Sequence, residues 1–155
     1  MKSVSLGLRK AFYSALDNHI IYNTVSIPTF EQEVQETPTK KMADVNGYKV
    51  YCLIKNQSDN DNSSKQLRND EANIQVHICS EYPFNKGNSE ISELVSELVM
   101  ARLITANGLF KNITMAEPFK LWKMDLVATN NLIFDSNSAR VYTTVLTFLA
   151  HINQS

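Results

Sequence analysis

The stretch ANIQVHICSEYPFNKGNSEISELVSELVMARLI, residues 72–104, decides the fold that the sequence predicts. Its first nine residues alternate strictly between two kinds of side chain, which is the period of a β-strand. Ala72, Ile74, Val76 and Ile78 share one predicted face, and Asn73, Gln75, His77 and Cys79 share the other. An antiparallel strand with one buried face and one hydrated face has this pattern.

The same stretch continues into an amphipathic helix. Pro83 and Gly87 break the chain, and Asn88 or Ser89 is a suitable N-cap. Apolar residues then recur at spacings of three and four, as one face of a helix requires. The predicted apolar stripe contains Ile91, Leu94, Val95, Leu98 and Leu103, widened by Val99 and Met100. Asn107-Gly108 is expected to end this helix, because such residues accept a left-handed C-terminal conformation.

Upstream of residue 72 lies a predicted hairpin. Residues 48–55 alternate as a strand that would pair with the strand beginning near Glu71. Between them, residues 56–69 consist largely of Asn, Asp and Ser, which favour turns because their side chains bond to the local backbone. We therefore expect a polar hairpin loop at about 56–69.

The first 47 residues contain a helix, a short strand and a segment without a clear period. The apolar stripe of the helix is formed by Val4, Leu8, Ala11, Phe12, Ala15 and Leu16. A short strand follows over Ile20–Val25. Residues 29–47 are interpreted as an extended arm or loop, with an irregular edge strand around Phe30–Val34. An arm of this length has a function or a partner, or else it is a mobile segment without one.

Two long strands complete the chain, over Phe119–Thr129 and Ala139–His151, joined by a turn at residues 135–138. Both faces of this hairpin carry large apolar residues, so both faces need a cover. The predicted inward set is Trp122, Met124 and Leu126. The predicted outward set, together with three apolar residues near the turn, is a hypothetical subunit interface: Phe119, Leu121, Val127, Leu132, Ile133 and Phe134. The alternative cover is the 29–47 arm of the same chain.

Composition places these elements in one domain, residues 1–155, of the α+β class. A mostly antiparallel sheet of four or five strands, with two helices on one face, accommodates the order α-β-β-β-α-β-β. Lys and Arg number 15 against 16 Asp and Glu, so a strongly basic nucleic-acid-binding protein is not expected. The apolar runs are too short to cross a bilayer, and no signal peptide is evident at the N-terminus. Two cysteines, Cys52 and Cys79, predict free thiols in a reducing cytoplasm.

No residue pattern in the chain indicates catalysis, a cofactor or a metal. The four glycines are too far apart for a phosphate-binding loop. A site of Cys52, His77 and Cys79 is conceivable, but it would lack a clear fourth ligand. A small ligand-binding or enzymatic domain, with a pocket between the sheet and the long helix, is the alternative to a purely structural protein. A nucleic-acid platform using Tyr48 and Tyr51 is disfavoured, because the two fall on opposite faces of one strand.

Four segments together resemble one family. They are the first helix VSLGLRKAFYSALDN (4–18), the strand IIYNTV (20–25), the strand-and-helix block at 72–104, and the final hairpin LWKMDLVATNNLIFDSNSARVYTTVLTFLAHI (121–152). The last of these has Asp135 at its turn and Arg140 opening the last strand. In order and spacing the chain resembles the tail-completion or tail-terminator proteins of tailed bacteriophages.

The resemblance implies a structural virion protein without catalytic residues. It implies a homo-oligomeric ring, six-fold or twelve-fold, at the head–tail junction or the tail end, made in the host cytoplasm and then joined to the virion. The implied partners are copies of the chain itself and neighbouring connector, portal or tail proteins. DNA would only pass through the lumen of such a ring, and no membrane partner is implied.

Overall fold

The structure is a computed structural model that describes residues 4–61, 68–83, 86–136 and 138–154, with side chains except those of residues 56–61, 68 and 69. It contains two helices, α1 (Val4–Leu16) and α2 (Glu90–Leu103). Its strands are β1 (Ile21–Tyr22), β2 (Val25–Ser26), β3 (Thr29–Glu31), β4 (Ala43–Val45), β5 (Tyr48–Asp61), β6 (Arg68–Pro83), β7 (Phe119–Asp135) and β8 (Ala139–Gln154).

Six strands form the main sheet. β5, β6, β8 and β7 lie side by side in that order, each antiparallel to the next. β3 and β4 share the outer edge of β5, where β3 runs parallel to Cys52–Ile54 and β4 antiparallel to Tyr48–Val50. β1 and β2 form a separate two-stranded ribbon. The predicted α+β class is confirmed, with one more strand in the main sheet than expected.

Both helices pack on one face of this sheet, and the main core lies beneath them. The alternation in β6 is confirmed, because Ala72, Ile74, Val76 and Ile78 are all buried on the helix side. Phe12 of α1 meets Phe148 of β8 there, with ring centroids 5.6 Å apart. We call the opposite side of the sheet the open face. Strand alternation thus directs the apolar residues of β6 toward the helices.

The segment predicted as an arm is partly strand. β3 and β4 occupy its two ends, and Ile54 accepts a hydrogen bond from the Gln32 N–H at 2.8 Å. The intervening residues 32–42, which we call the strap, connect them around the outer edge of β5. Pairing to β5 satisfies backbone groups that a free arm would leave to water.

The predicted polar loop at 56–69 is largely wrong. β5 continues to Asp61 and β6 begins at Arg68, and their ladder extends to the pair Asp61–Asp70. A register shift between Asn56 and Ser58 adds a residue to β5 at this point. The middle of the predicted loop, residues 62–67, lies outside the described residues. Strand pairing therefore overrides the turn preference of Asn, Asp and Ser here.

The predicted phase of α2 is also wrong. Leu94 and Leu98 are each 37% exposed, whereas Val95, Val99 and Leu103 are buried together with Ser92 and Ser96. The Thr144 hydroxyl of β8 donates to the Ser92 hydroxyl at 3.1 Å, so the small serine face approaches the sheet. The helix ends at Leu103, earlier than predicted, and Gly108 lies instead in the following turn with a φ of 80°.

Two β-bulges in β7 change the predicted faces of the terminal hairpin in part, because Met124 and Leu126 face the helix-side core as predicted but other residues do not. The register shifts between Leu121 and Lys123 and again between Leu126 and Ala128. Trp122 is therefore an extra residue, and the strand keeps apolar side chains on the helix side before and after it. Phe119 and Leu121 are 6% exposed and belong to the core, so their predicted outward orientation is wrong. Trp122, predicted to face inward, is 51% exposed.

Candidate subunit interface

The outer edge of β7 is open. Among the described residues β7 pairs only with β8, so its other backbone edge has no partner strand. The opposite edge of the sheet differs, because β3 and β4 cover β5 there. Long uncovered edge strands are templates for pairing with another chain, and proteins normally protect them. β7 is therefore the strongest candidate for a contact surface.

Apolar side chains are exposed on both faces of this edge strand. Val127 is 53% exposed, Leu132 42%, Ile133 59% and Phe134 56%. Leu132 and Phe134 stand on the open face, opposite Thr143 and Val141 of β8, while Ile133 stands on the helix side opposite Tyr142. Exposed apolar groups that cluster in this way mark interaction surfaces rather than ordinary scatter. We call Val127 and residues 132–134 the β7 patch.

The tip of the β7–β8 hairpin is held by one ion pair. Arg140 donates from Nε to Asp135 Oδ1 at 2.6 Å and from Nη2 to Oδ2 at 3.2 Å. The two residues are cross-strand partners at the last rung of the ladder. A bidentate pair of this kind fixes the geometry of both side chains. It keeps the hairpin, and with it the β7 patch, in one conformation.

A second exposed aromatic group lies further down the same edge. The Trp122 ring lies 5.3 Å from the ring of His151, measured between centroids. His151 in turn lies between two carboxylates, with Nδ1 3.7 Å from Glu71 and Nε2 3.8 Å from Asp125. The bulge presents this indole to solvent, and exposed tryptophans are enriched at protein interfaces.

On the open face, a small apolar cluster lies at the β5 end of the sheet. It contains Phe30, Tyr51, Leu53 and Cys79, with Val34, Met42 and Val141 packed against it. Phe30 and Tyr51 meet edge to face, with ring centroids 6.3 Å apart. Val34 and Met42 belong to the strap, so the strap covers this end of the open face.

The strap is anchored by Lys40. Its Nζ donates to the Tyr13 hydroxyl and, at 3.0 Å, to Asp17 Oδ1, both on or next to α1. The same ammonium lies over the Tyr13 ring at 4.4 Å and over the Phe30 ring at 5.2 Å. Burial lowers the pKa of Lys40, but the hydrogen bonds to Tyr13 and Asp17 outweigh it and leave that pKa raised. The ammonium thus stays charged and holds the strap against the sheet edge.

The three residues that the sequence offers as metal ligands, Cys52, His77 and Cys79, do not converge on one site. Cys52 points into the helix-side core, whereas His77 and Cys79 lie on the open face. Burial raises the pKa of both thiols, which keeps them protonated and poorly nucleophilic. Among the described residues, no group of three potential ligands could hold a metal ion. Nor is any helix of that part of the chain long and apolar enough to span a membrane.

A groove lies between α2 and the start of β7. It occupies the place where the sequence suggests a ligand pocket as the alternative to a purely structural role. Its volume is about 570 Å³. Its lining is mostly apolar, from Met100, Ile104, Met124 and Leu126, with Asp125 as the one charged member. A binding site for a small molecule normally adds several converging polar groups, and this lining provides few.

Of the six residues predicted for an interface, four lie in the β7 patch and two in the core. The sequence indicated the patch through apolar residues close to a turn, where solvent is expected. It missed Trp122, because only the bulge places that side chain outside. Knowledge of the pairing with β8 is needed to find it.

No family model matches this sequence, and no curated protein matches it. A solved structure does resemble the fold, namely a chain from the virion of a native gene transfer agent particle. The TM-score is 0.55 at 10% sequence identity, over 79% of this chain and 77% of that chain. The likeness is one of fold. The likeness covers most of both chains, but at 10% identity it does not indicate which residues have a functional role.

Proposed function

We propose that this chain is a structural protein of a phage-like virion that assembles with copies of itself into a ring. The observation that carries the proposal is the uncovered β7 edge, where apolar side chains are exposed on both faces of an edge strand. The fold likeness to a chain of a gene transfer agent virion supports the virion setting. The resemblance to tail-terminator proteins supports a place at the head–tail junction or the tail end.

The two edges of the sheet support a ring rather than a two-fold dimer. One edge is the open β7, and the other is β5 with β3, β4 and the strap over it. A contact between unlike surfaces is head-to-tail, and it generates a closed ring when the rotation per subunit divides a full turn. The ring would surround the DNA passage and join the rings of connector, portal or tail proteins above and below it.

The test is the mass and shape of the purified protein. Size-exclusion chromatography with light scattering should show one species of six or twelve times the 17.6 kDa chain mass. Negative-stain microscopy of that species should show rings with a central hole. A protein that stays monomeric at all accessible concentrations contradicts the proposal.

A variant pair then tests the surface itself. Phe134→Asp should abolish the large species, since it would place an unpaired charge in a buried contact. Leu109→Asp is the matched control, because Leu109 is 67% exposed in the loop after α2 and does not belong to the β7 patch. Rings that persist in Phe134→Asp show that the contact lies elsewhere.

A further inference from the structure

We infer that the strap of one subunit packs against Leu132 and Phe134 of the next subunit in the ring. This inference rests on the proposed function and names which two surfaces meet. It follows from an apolar strip on the open face, from the register of the sheet and from the geometry of a closed ring.

A mostly apolar strip, interrupted by Thr143, crosses the open face from β5 to β7. It begins in the cluster under the strap, with Tyr51 and Cys79, and reaches Val141 of β8. Val141 pairs with Phe134, and Thr143, which donates to the Cys79 sulfur at 3.5 Å, pairs with Leu132. The strip therefore extends from β5 to β7. The strap covers it at the β5 end, and Leu132 and Phe134 remain exposed at the β7 end.

The sheet register places the strap and the exposed residues at the same height. Tyr51 lies opposite Cys79, Cys79 opposite Thr143, and Thr143 opposite Leu132, so these residues form one row across four strands. Val34 and Met42 of the strap pack on the cluster that includes Tyr51 and Cys79, at the β5 end of this row. The two ends of the row lie at opposite edges of the sheet.

In a closed ring whose axis runs along the strands, the row stands at the same height in every subunit. Subunits related by rotation alone have no rise, whereas an offset would produce an open helix. When subunits stand side by side with their sheets continuing around the ring, the β7 end of one row meets the β5 end of the next. The strap of the neighbour then lies beside Leu132 and Phe134, on the same face.

The charges agree with this pairing. Residues 130–134 of β7 include no charged side chain, so burying them leaves no ion without a partner. Three charges of the strap, Glu33, Glu36 and Lys41, are exposed around the half-buried Val34 and Met42. The fourth, Lys40, is already paired with Asp17. An uncharged centre with a charged margin is the usual composition of a protein interface.

Cysteine crosslinking of the assembled protein tests the contact. A variant with Leu132→Cys and Gln35→Cys is treated with a bismaleimide, and denaturing gels are run. Gln35 lies exposed in the strap, and the two native cysteines are buried, so neither native thiol should react. We expect a ladder of covalent species that ends at the subunit number of the ring. A second pair, Phe134→Cys with Lys41→Cys, tests the same contact in case the first double variant does not fold.

The controls separate the possible failures. Leu132→Cys combined with Leu109→Cys should give no ladder, because Leu109 lies in the loop after α2. A Leu132→Cys single variant that crosslinks to dimers shows β7 facing β7, which overturns the inference. Intact rings without a ladder in either pair also overturn it and leave the proposed function standing. A wild-type chain that forms no rings contradicts the proposed function itself.

Discussion

At the scale of single residues, the open face combines polar groups with close packing. His77 Nε2 lies 3.0 Å from the Gln75 side-chain oxygen, and the Gln75 amide donates to the Thr147 hydroxyl at 3.3 Å. Burial, and then the charge of Lys55, lowers the pKa of His77 below its ordinary value of 6.5. His77 is therefore neutral in the folded protein at pH 7.

That lowered pKa predicts a loss of stability in acid. The unfolded chain takes up a proton at His77 near pH 6.5, whereas the folded chain does so only at lower pH. The contribution is fully present above pH 6.5 and is lost as the pH falls from there through the folded pKa. Thermal unfolding followed between pH 7.5 and 5.5 should show a steeper decline for wild type than for His77→Gln. Parallel curves would contradict the assignment.

The phase of α2 predicts unequal effects for two neighbouring residues. Leu98→Asp should cost about 1 kcal/mol, because Leu98 is partly exposed on the outer side of the helix and Asp is a weaker helix former than Leu. Val99→Asp should cost about 3 kcal/mol or more, because Val99 is fully buried and the carboxylate would lack a partner. Urea titrations followed by circular dichroism measure both. A severe loss in Leu98→Asp would restore the phase predicted from the sequence.

At the scale of elements, the bulge at Trp122 determines which side of β7 is inside. Leu121 pairs with Ile152 and Lys123 with His151, so Trp122 has no partner residue in β8. If Trp122 instead paired with His151 as a regular strand residue, Met124 and Leu126 would fall on the open face and the helix-side core would lose both. The bulge also exposes the indole beside His151. The bulge thus places Met124 and Leu126 on the core side and Trp122 on the surface.

Two leucine truncations in β7 measure this arrangement. Leu121→Ala should destabilise the subunit by about 2 kcal/mol or more, because Leu121 is 6% exposed within the main core. Leu132→Ala should cost at most about 0.5 kcal/mol, because Leu132 is 42% exposed. Chemical denaturation of both variants, under conditions where the protein is monomeric, gives the comparison. Equal losses would mean that the bulge does not divide the strand in this way.

At the scale of the whole molecule, the sheet extends beyond the layer that the helices cover. β6 and β8 pair from Arg68–Gln154 at one end to Pro83–Ala139 at the other. The long hairpin of β5 and β6 therefore supports the last residues of β8, including Ile152, which is fully buried. The chain needs this hairpin for its own fold as well as for any contact with a neighbour.

Shortening that hairpin should accordingly lower the melting temperature. Replacing residues 56–69 with a two-residue Asn-Gly turn removes the rungs that pair residues 68 and 69 with Gln154 and Asn153. Replacing only residues 62–67 with the same turn is the control, since it retains the strand residues on both sides. Differential scanning fluorimetry compares the two variants. A full-length melting temperature in the longer deletion would show that β8 does not depend on the hairpin.

The sequence by itself determined the order of the long elements, the α+β class and the alternation in β6. These depend on residues a few positions apart, and the periods of helix and strand are fixed by local backbone geometry. The clustering of apolar residues near the last turn also indicated most of the β7 patch. In the same way, the opposite faces of Tyr48 and Tyr51 followed from alternation alone.

Only the tertiary structure decided where those periods begin and which surfaces they bury. The stripe of α2 is wide enough to pack on Leu94 and Leu98 or on Val95 and Val99, and the hydrogen bond from Thr144 to Ser92 accompanies the second choice. The bulge at Trp122 and the pairing of β3 with β5 likewise depend on partners far away along the chain. Such contacts join residues that are far apart along the chain, so a local sequence pattern carries no information about the free energy that selects them.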